Sequence, residues 1–438
     1  METIVTVLQF FLSLSLLVVI HEFGHFLFAR IFKIRVEKFY IFFNPWFSLF
    51  KYKPKNSDTT FGIGWLPLGG YVKIAGMIDE SMDTKQMERP VQDWEFRSKP
   101  AWQRFLVMIA GVTFNFLLAI IIYSAISFSF GDKYIAMQDV KDGMEYSPAA
   151  QKAGFQDGDI LLRADDTELV DFSEETFRTI IGAKQVTVLR NGEEVNIPIP
   201  EDLMQQIMQE KKGFAGYRIP FVVDSVIAGS RASIAGFMAK DSVISVGDSS
   251  EAFMGHCIDV FAEHKNLNVD VTVLRAGVPV NLTVTPDHNG KIGVYMKSIT
   301  QFYPLRTKSY TLLESIPTGI KRGVKKFTGY ASDMKYVFTK EGAQSLGGFY
   351  SIGRLFPYPF NAEIFWEMTA YLSVILAFMN LLPIPGLDGG HIMFVLYEMI
   401  TRRKPKQETL IKAQTIGMII LLMLVLFANM NDVFRLFN

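Results

Sequence analysis

The sequence has very little cysteine and no excess of charge of either sign. Cys257 is the only cysteine among 438 residues, so an intrachain disulfide is impossible and a zinc site built on cysteine thiolates is implausible. The 44 basic residues balance the 44 acidic ones, so the charge gives no argument for binding nucleic acid. The function has to be read from local patterns instead.

The N-terminus lacks the basic segment that precedes the apolar core of a signal peptide. Glu2 stands in that place, and the apolar run at residues 4–29 is too long and has no small-residue cleavage site after it. At about 1.5 Å per residue, a helix of this length exceeds the roughly 30 Å hydrocarbon core of a bilayer. We therefore expect a membrane-spanning helix rather than a signal peptide.

Three further long apolar runs predict a polytopic α-helical membrane protein with four transmembrane helices. The expected spans are residues 4–29, 105–130, 365–390 and 413–430. Lysine and arginine concentrate between the first two spans and between the last two, which predicts that both of these loops face the cytoplasm. Both termini and the polar region between the second and third spans should then face outward.

The polar region contains an internal repeat. One copy contains SPAAQKAGFQDGDILL and VTVLRNGEEV, and the other contains SRASIAGFMAKDSVI and VTVLRAGVPV. Each copy resembles a PDZ domain, which predicts two inserted α+β domains at residues 131–215 and 216–300. The alternative is an unrelated β-sandwich. Lys240 stands where the first copy has Gly158, which puts the ligand groove of the second copy in doubt.

Two other segments bear on how the chain meets the membrane. The stretch FGIGWLPLGGYVKIAG at residues 61–76 is rich in glycine and apolar residues, which predicts a membrane-associated β-hairpin in the first cytoplasmic loop. Apolar residues recur at helical spacing with basic residues between them at 305–345. We expect amphipathic helices on the outer membrane surface there, or alternatively a helix packed on the PDZ pair.

The first span carries the motif HEFGH. His21 and His25 are four residues apart, so they lie on one face of a helix and can bind one zinc ion, with Glu22 beside it as a general base. The alternative is a pair of core histidines bonded to neighbouring helices. Ionisable groups inside a membrane are costly, by roughly 3 kcal/mol each, which favours a ligand cluster.

A catalytic zinc site needs a third protein ligand at the same depth. The stretch NLLPIPGLDGGH offers Asp388 near the end of the third span, where Pro383 and Pro385 break the helix. His391 is an alternative ligand. Because the first and third spans run in the same direction, Asp388 and the histidine pair should both lie toward the cytoplasm.

Together these features resemble the site-2 protease family of intramembrane zinc metalloproteases. HEFGH, PLGGYVK and NLLPIPGLDGG carry the resemblance, and the tandem PDZ segment narrows it to the RseP-like group, the regulators of sigma-E type. The resemblance implies Zn²⁺ bound by His21, His25 and Asp388, with Glu22 as the base. The sequences GVTFN and LGGFYSIG depart from Gly-Pro patterns that are common in the family.

The resemblance also implies partners and a location. It implies cleavage of single-span membrane proteins, notably anti-sigma factors, and of remnant signal peptides. It further implies a multi-pass protein of the bacterial inner membrane, in contact with membrane lipid, with the active site toward the cytoplasm and the PDZ domains in the periplasm.

Substrate contacts are expected from two regions. We expect Asn380 to hydrogen-bond the substrate backbone or the developing oxyanion, or alternatively to cap the broken helix. An edge of the hairpin could pair with an unwound substrate segment by strand addition. The expected substrate-binding residues are Asn380, Pro385, Gly62, Gly64, Leu68, Gly69 and Gly70.

Two alternatives belong to other functional classes. A noncatalytic membrane scaffold that recruits partners through its PDZ domains would not need Glu22. A metal transporter is disfavoured because the sequence has no transmembrane repeat and no chain of polar residues across the bilayer.

Overall fold

A computed structural model describes residues 2–67, 69–77, 89–210, 213–337, 339, 342–343 and 346–437. Within these ranges the chain forms two compact units. One comprises Met1–Gly131 and Ser309–Asn438, and the other is Asp132–Lys308. The first unit contains the long apolar helices, and the second contains the repeat.

The helices of the described residues are α1 (Glu2–Ile31), α2 (Ala101–Phe130), α3 (Pro148–Lys152), α4 (Glu174–Gly182), α5 (Leu203–Glu210), α6 (Arg231–Ala235), α7 (Met254–Glu263), α8 (Leu312–Val337), α9 (Phe349–Gly353), α10 (Ala362–Leu381), α11 (Asp388–Thr401) and α12 (Gln407–Phe437). Short 3-10 helices occur at Phe96–Ser98, Met137–Asp139 and Ile299–Gln301.

The strands are β1 (Val36–Ile41), β2 (Phe43–Tyr52), β3 (Thr60–Leu66), β4 (Tyr71–Ile74), β5 (Asp132–Ile135), β6 (Met144–Tyr146), β7 (Ile160–Ala164), β8 (Thr167–Glu168), β9 (Gln185–Arg190), β10 (Glu193–Pro198), β11 (Ala215–Tyr217), β12 (Val223–Val226), β13 (Ser242–Val246), β14 (Val269–Arg275), β15 (Val278–Val284), β16 (Val294–Met296) and β17 (Leu305–Lys308).

Four of the described helices, α1, α2, α10 and α12, are long and apolar enough to cross a membrane. Their number agrees with the four expected spans. The third span differs, because α10 ends at Leu381 instead of continuing to residue 390. Pro383 and Pro385 cannot continue the backbone ladder of a helix, and a new helix, α11, begins at Asp388. The break therefore puts Asp388 at the start of a helix.

The predicted hairpin at residues 61–76 is wrong. These residues form β3 and β4, which do not pair with each other, because β1 lies between them in a sheet of order β2-β3-β1-β4. Strand β1 pairs parallel with β3 and antiparallel with β4. Glycine at position 64 is required by the sheet itself, since a Cβ there would lie 2.1 Å from the carbonyl oxygen of Phe43. Strand β4 is thus an edge strand, whereas β3 is internal.

Helix α2 is the centre of the first unit, where it packs against α1, α8, α10 and α11. Its approach to α1 is close, since a Cβ at Gly24 would lie 2.7 Å from the carbonyl oxygen of Ala110. Small residues allow such contacts between membrane helices, where dispersion and polar contacts replace the hydrophobic drive of water. Near the N-terminus of α2, Arg104 donates to Glu398 over 2.6 Å, which ties α2 to α11.

Helix α8 lies where the sequence predicts one or two amphipathic helices, and it packs lengthwise on α2. A Cβ at Gly319 would contact Ser124, one at Gly323 would contact Ile120, and the Phe327 ring lies 5.4 Å from that of Phe116. The helix therefore belongs to the unit of the long apolar helices, and its position on the outer membrane surface stays a prediction.

Both copies of the repeat fold with the same order of elements in the second unit. Each runs through a short helix, a strand, a longer helix and an antiparallel strand pair, as α3-β7-α4-β9-β10 and α6-β13-α7-β14-β15, and the first copy adds the two-residue strand β8 after β7. Each copy has its own buried core. The substitution of Gly158 by Lys240 preserves the turn, because both residues have positive φ, at 95° and 73°.

The arginine of each VTVLR strand makes the same contact in both copies. Arg190 donates to both carboxylate oxygens of Asp159 at 2.8 and 2.7 Å, and Arg275 does so to Asp241 at the same distances. Both aspartates are almost completely buried. The repeated sequence thus encodes a repeated ion pair, and the assignment of the copies as PDZ domains stays a prediction.

Candidate metal centre

Three side chains from two helices converge inside the first unit. The Nε2 atoms of His21 and His25 lie 3.2 Å apart, one helical turn from each other on α1. Asp388 Oδ2 lies 3.1 Å from His21 Nε2 and 3.2 Å from His25 Nε2. Among the described residues, these three form the cluster whose ligand atoms lie within 4.8 Å of one another. The structure thus brings together the three expected ligands.

The orientation of His25 is set by helix α2. Its Nδ1 lies 2.8 Å from the carbonyl oxygen of Val107, which can only accept, so Nδ1 carries the proton. In the neutral imidazole Nε2 then presents a lone pair to the cluster. A histidine that binds a metal through one ring nitrogen typically donates from the other to a carbonyl or carboxylate oxygen, as His25 does here.

The donor set fits a zinc ion. Asp388 Oδ2 is buried and has no hydrogen-bond partner, although both Nε2 atoms are near it. Lone pairs that point at one another inside an apolar unit repel, and a shared cation removes that repulsion. Two imidazoles and one carboxylate are a common catalytic zinc set, which leaves a fourth position open.

The cluster lies in the wall of a cavity of about 450 Å³. Glu22 and Asn380 line the same cavity, as do Gly69 and Gly70, which lead into edge strand β4. Asn380 lies inside α10, whose C-cap is Leu382, so its position favours a role in the cavity over capping. A carboxylate and an amide therefore face the space next to the three ligands.

Other expected substrate-binding residues lie elsewhere. Gly62 and Gly64 lie within internal strand β3, where a Cβ would collide with the Tyr40 ring and the Phe43 backbone, so they serve the sheet rather than the cavity. Pro385 packs against Gly417 of α12. Leu68 lies outside the described residues.

His391, the alternative ligand, lies outside the three-residue cluster. Its Nε2 is hydrogen-bonded to Gln414 Nε2 of α12, and both residues line the cavity. The contact links α11 to α12 at the cavity wall instead of adding a ligand.

Sequence reasoning missed the contribution of α2 and of Gln414. Val107, Gly111 and Asn115 face the histidine pair, and Gln414 is 5% exposed. The available signal was a polar side chain within an apolar span, at Asn115 and at Gln414, which is costly unless it has a partner. The contact of a main-chain carbonyl leaves no such signal.

Comparison with known proteins decides the family. The model of Peptidase family M50 matches residues 9–424. The chain belongs to peptidase family M50. Over 99% of both chains it is 27% identical to a protein of Rickettsia conorii with the provisional name of zinc metalloprotease. It is also 26% identical to Metalloprotease MmpA of Caulobacter vibrioides, over 96% of this chain and 94% of that one.

Membership of family M50, the site-2 protease family, gives the chain its class of activity. It is a zinc-dependent metalloendopeptidase, and its four long apolar helices agree with a protein embedded in a membrane. The resemblance to the site-2 protease family is confirmed.

Gly111 provides the first test of the site. A Cβ at this position would lie 2.4 Å from His25 Nε2 and 2.7 Å from His21 Cε1. Gly111→Ala should therefore displace both imidazoles and lower the zinc content of the purified protein well below one ion per chain. The measurement is elemental analysis. Gly353→Ala is the matched control, since nothing lies within 4 Å of its Cβ. Full zinc content in Gly111→Ala would contradict this geometry.

Proposed function

We propose that the protein is an intramembrane protease that cleaves transmembrane segments of single-span membrane proteins. The observation that carries the proposal is the cluster of His21, His25 and Asp388, with Glu22 in the same cavity, among helices long enough to span a membrane. In this proposal His21, His25 and Asp388 bind the zinc ion.

Glu22 performs the proton transfers in this mechanism. Zinc, when bound, polarises the scissile carbonyl and acidifies a water molecule. Glu22 accepts the proton of the attacking water and donates it to the leaving amide nitrogen, as a general base and then a general acid. Asn380, in the wall of the same cavity, donates from its amide to the substrate carbonyl oxygen, where negative charge develops.

Strand β4 receives the substrate. The carbonyl groups of a transmembrane helix are occupied by the helix's own hydrogen bonds. Leaving one of them unpaired in lipid costs on the order of several kcal/mol. Because β4 is an edge strand that borders the cavity, its main chain can replace those bonds by strand addition.

The substrates and location follow the resemblance. We propose anti-sigma factors and remnant signal peptides as substrates, and the bacterial inner membrane as the location, with the metal centre toward the cytoplasm. The two repeat copies act as periplasmic PDZ domains that bind exposed carboxyl termini or exclude substrates with large outer domains. Support for the orientation comes from lysine and arginine between the first two and the last two spans.

Glu22→Gln tests the catalytic role. The substitution keeps the size of the side chain but removes its basicity, so cleavage of a co-expressed single-span substrate should fall by at least about 10²-fold while zinc content stays unchanged. Immunoblots of the truncated product measure cleavage. Glu408→Gln, an exposed change on α12, is the control and should leave cleavage intact. Unchanged cleavage in Glu22→Gln would contradict the role of Glu22, and it is the result expected if the protein is a noncatalytic scaffold that recruits another protease.

Val72→Pro tests strand addition. Proline removes a main-chain donor from edge strand β4, so turnover should fall while zinc content is retained. Val72→Ala keeps the main-chain donor and is the matched control for the lost side chain. Equal turnover of the proline and alanine variants would argue against pairing of the substrate with β4.

A further inference from the structure

One face of α2 is built around the two histidines. Val107, Gly111 and Asn115 are spaced four residues apart, so they line up along the helix. The Val107 carbonyl accepts from His25 Nδ1, and Gly111 leaves room for both rings. The Nδ2 atom of Asn115 lies 3.3 Å from Nδ1 of His21. The same helix thus reaches Nδ1 of both imidazoles, which point away from the cluster, and its Gly111 lies beside Nε2 of His25.

The chemistry of His21 determines what Asn115 has to do. Its Nε2 faces Asp388 and His25, so a metal held there leaves the ring proton on Nδ1, which must then donate. Of the two polar atoms in the Asn115 amide, the oxygen is the one that can accept this hydrogen bond. The oxygen and nitrogen of an amide are distinguished only by their hydrogen-bond partners. Asn115 Oδ1 is also buried without a partner when the nitrogen faces the ring.

We propose that Asn115 is a positioning residue of the metal centre, whose amide oxygen accepts a hydrogen bond from Nδ1 of His21. The bond holds His21 in the tautomer that leaves Nε2 free to bind metal, as the Val107 carbonyl does for His25. Asn115 does not touch the cluster itself. The inference rests on the proposed role of His21 as a ligand.

Burial supports this role. Asn115 is fully buried within an apolar span, where an amide is costly unless its polar atoms are satisfied. The hydroxyl of Ser373 on α10 donates to the main-chain carbonyl of Asn115 over 2.8 Å, so that contact supports the backbone and not the amide. A substitution of Ser373 therefore serves as a control, because it removes a contact to the main chain of Asn115 and leaves the amide side chain in place.

The test measures zinc affinity in the purified full-length protein by competition with a chelator. Asn115→Leu removes the acceptor at similar size and should weaken zinc binding by about 10- to 100-fold. Asn115→Asp keeps an acceptor oxygen and should bind zinc close to wild type. Ser373→Ala should also bind like wild type. The Co²⁺-substituted proteins give a second readout, since a misoriented imidazole changes the visible absorption of the ion.

Three outcomes would overturn the inference: wild-type affinity in Asn115→Leu, equal losses in Asn115→Leu and Asn115→Asp, or an equal loss in Ser373→Ala. If Asn115→Leu does not fold, Asn115→Ala takes its place in the same comparison. His21→Ala separates this inference from the proposed function. Weakened zinc binding in His21→Ala with full affinity in Asn115→Leu refutes only the role of Asn115, whereas wild-type zinc affinity in His21→Ala refutes both.

Discussion

Three electron-rich atoms that face one another inside an apolar helical unit form the constraint on which the site depends. Two imidazole nitrogens and one carboxylate oxygen lie within 3.2 Å of each other, and the carboxylate oxygen has no hydrogen bond. Such an arrangement repels itself in a medium of low dielectric constant unless a cation is shared. Family M50 is zinc-dependent, and a zinc ion shared by these three atoms would remove the repulsion and hold α1 and α11 together.

Two features of the fold bring these atoms together: the break between α10 and α11, and the close packing of α2 against α1. The prolines after α10 end that helix, so Asp388 begins α11 with its carboxylate beside the histidines. Helix α2 lies close enough to α1 that its main chain and Asn115 reach the outer nitrogens of the rings. The cavity beside the same residues offers the space that hydrolysis needs for a substrate and a water molecule. The three expected ligands thus come from α1 and α11, and the contacts that orient the histidine rings come from α2.

Much of this could be predicted from sequence, for physical reasons that apply to some residues and not to others. Ionisable residues within or next to apolar runs cost free energy in a membrane, so His21, Glu22, His25 and Asp388 could each be recognised from the sequence. Strand order cannot be read from adjacency in the sequence, and β1 lies between β3 and β4, paired with both. The glycines at 62 and 64 therefore serve the sheet, not the cavity. The support from the Val107 carbonyl depends on tertiary packing alone.

X-ray absorption at the zinc edge of the purified protein tests the central claim most directly, because it reports the atoms around the ion without relying on activity. The account predicts one bound zinc with two imidazole nitrogens at about 2.0–2.1 Å and carboxylate oxygen at about 2.0–2.2 Å. It predicts loss of one imidazole contribution in a His25→Ala sample that still binds zinc. Sulfur ligation, a single imidazole in the wild-type protein, or an unchanged spectrum in Asp388→Ala would contradict the account.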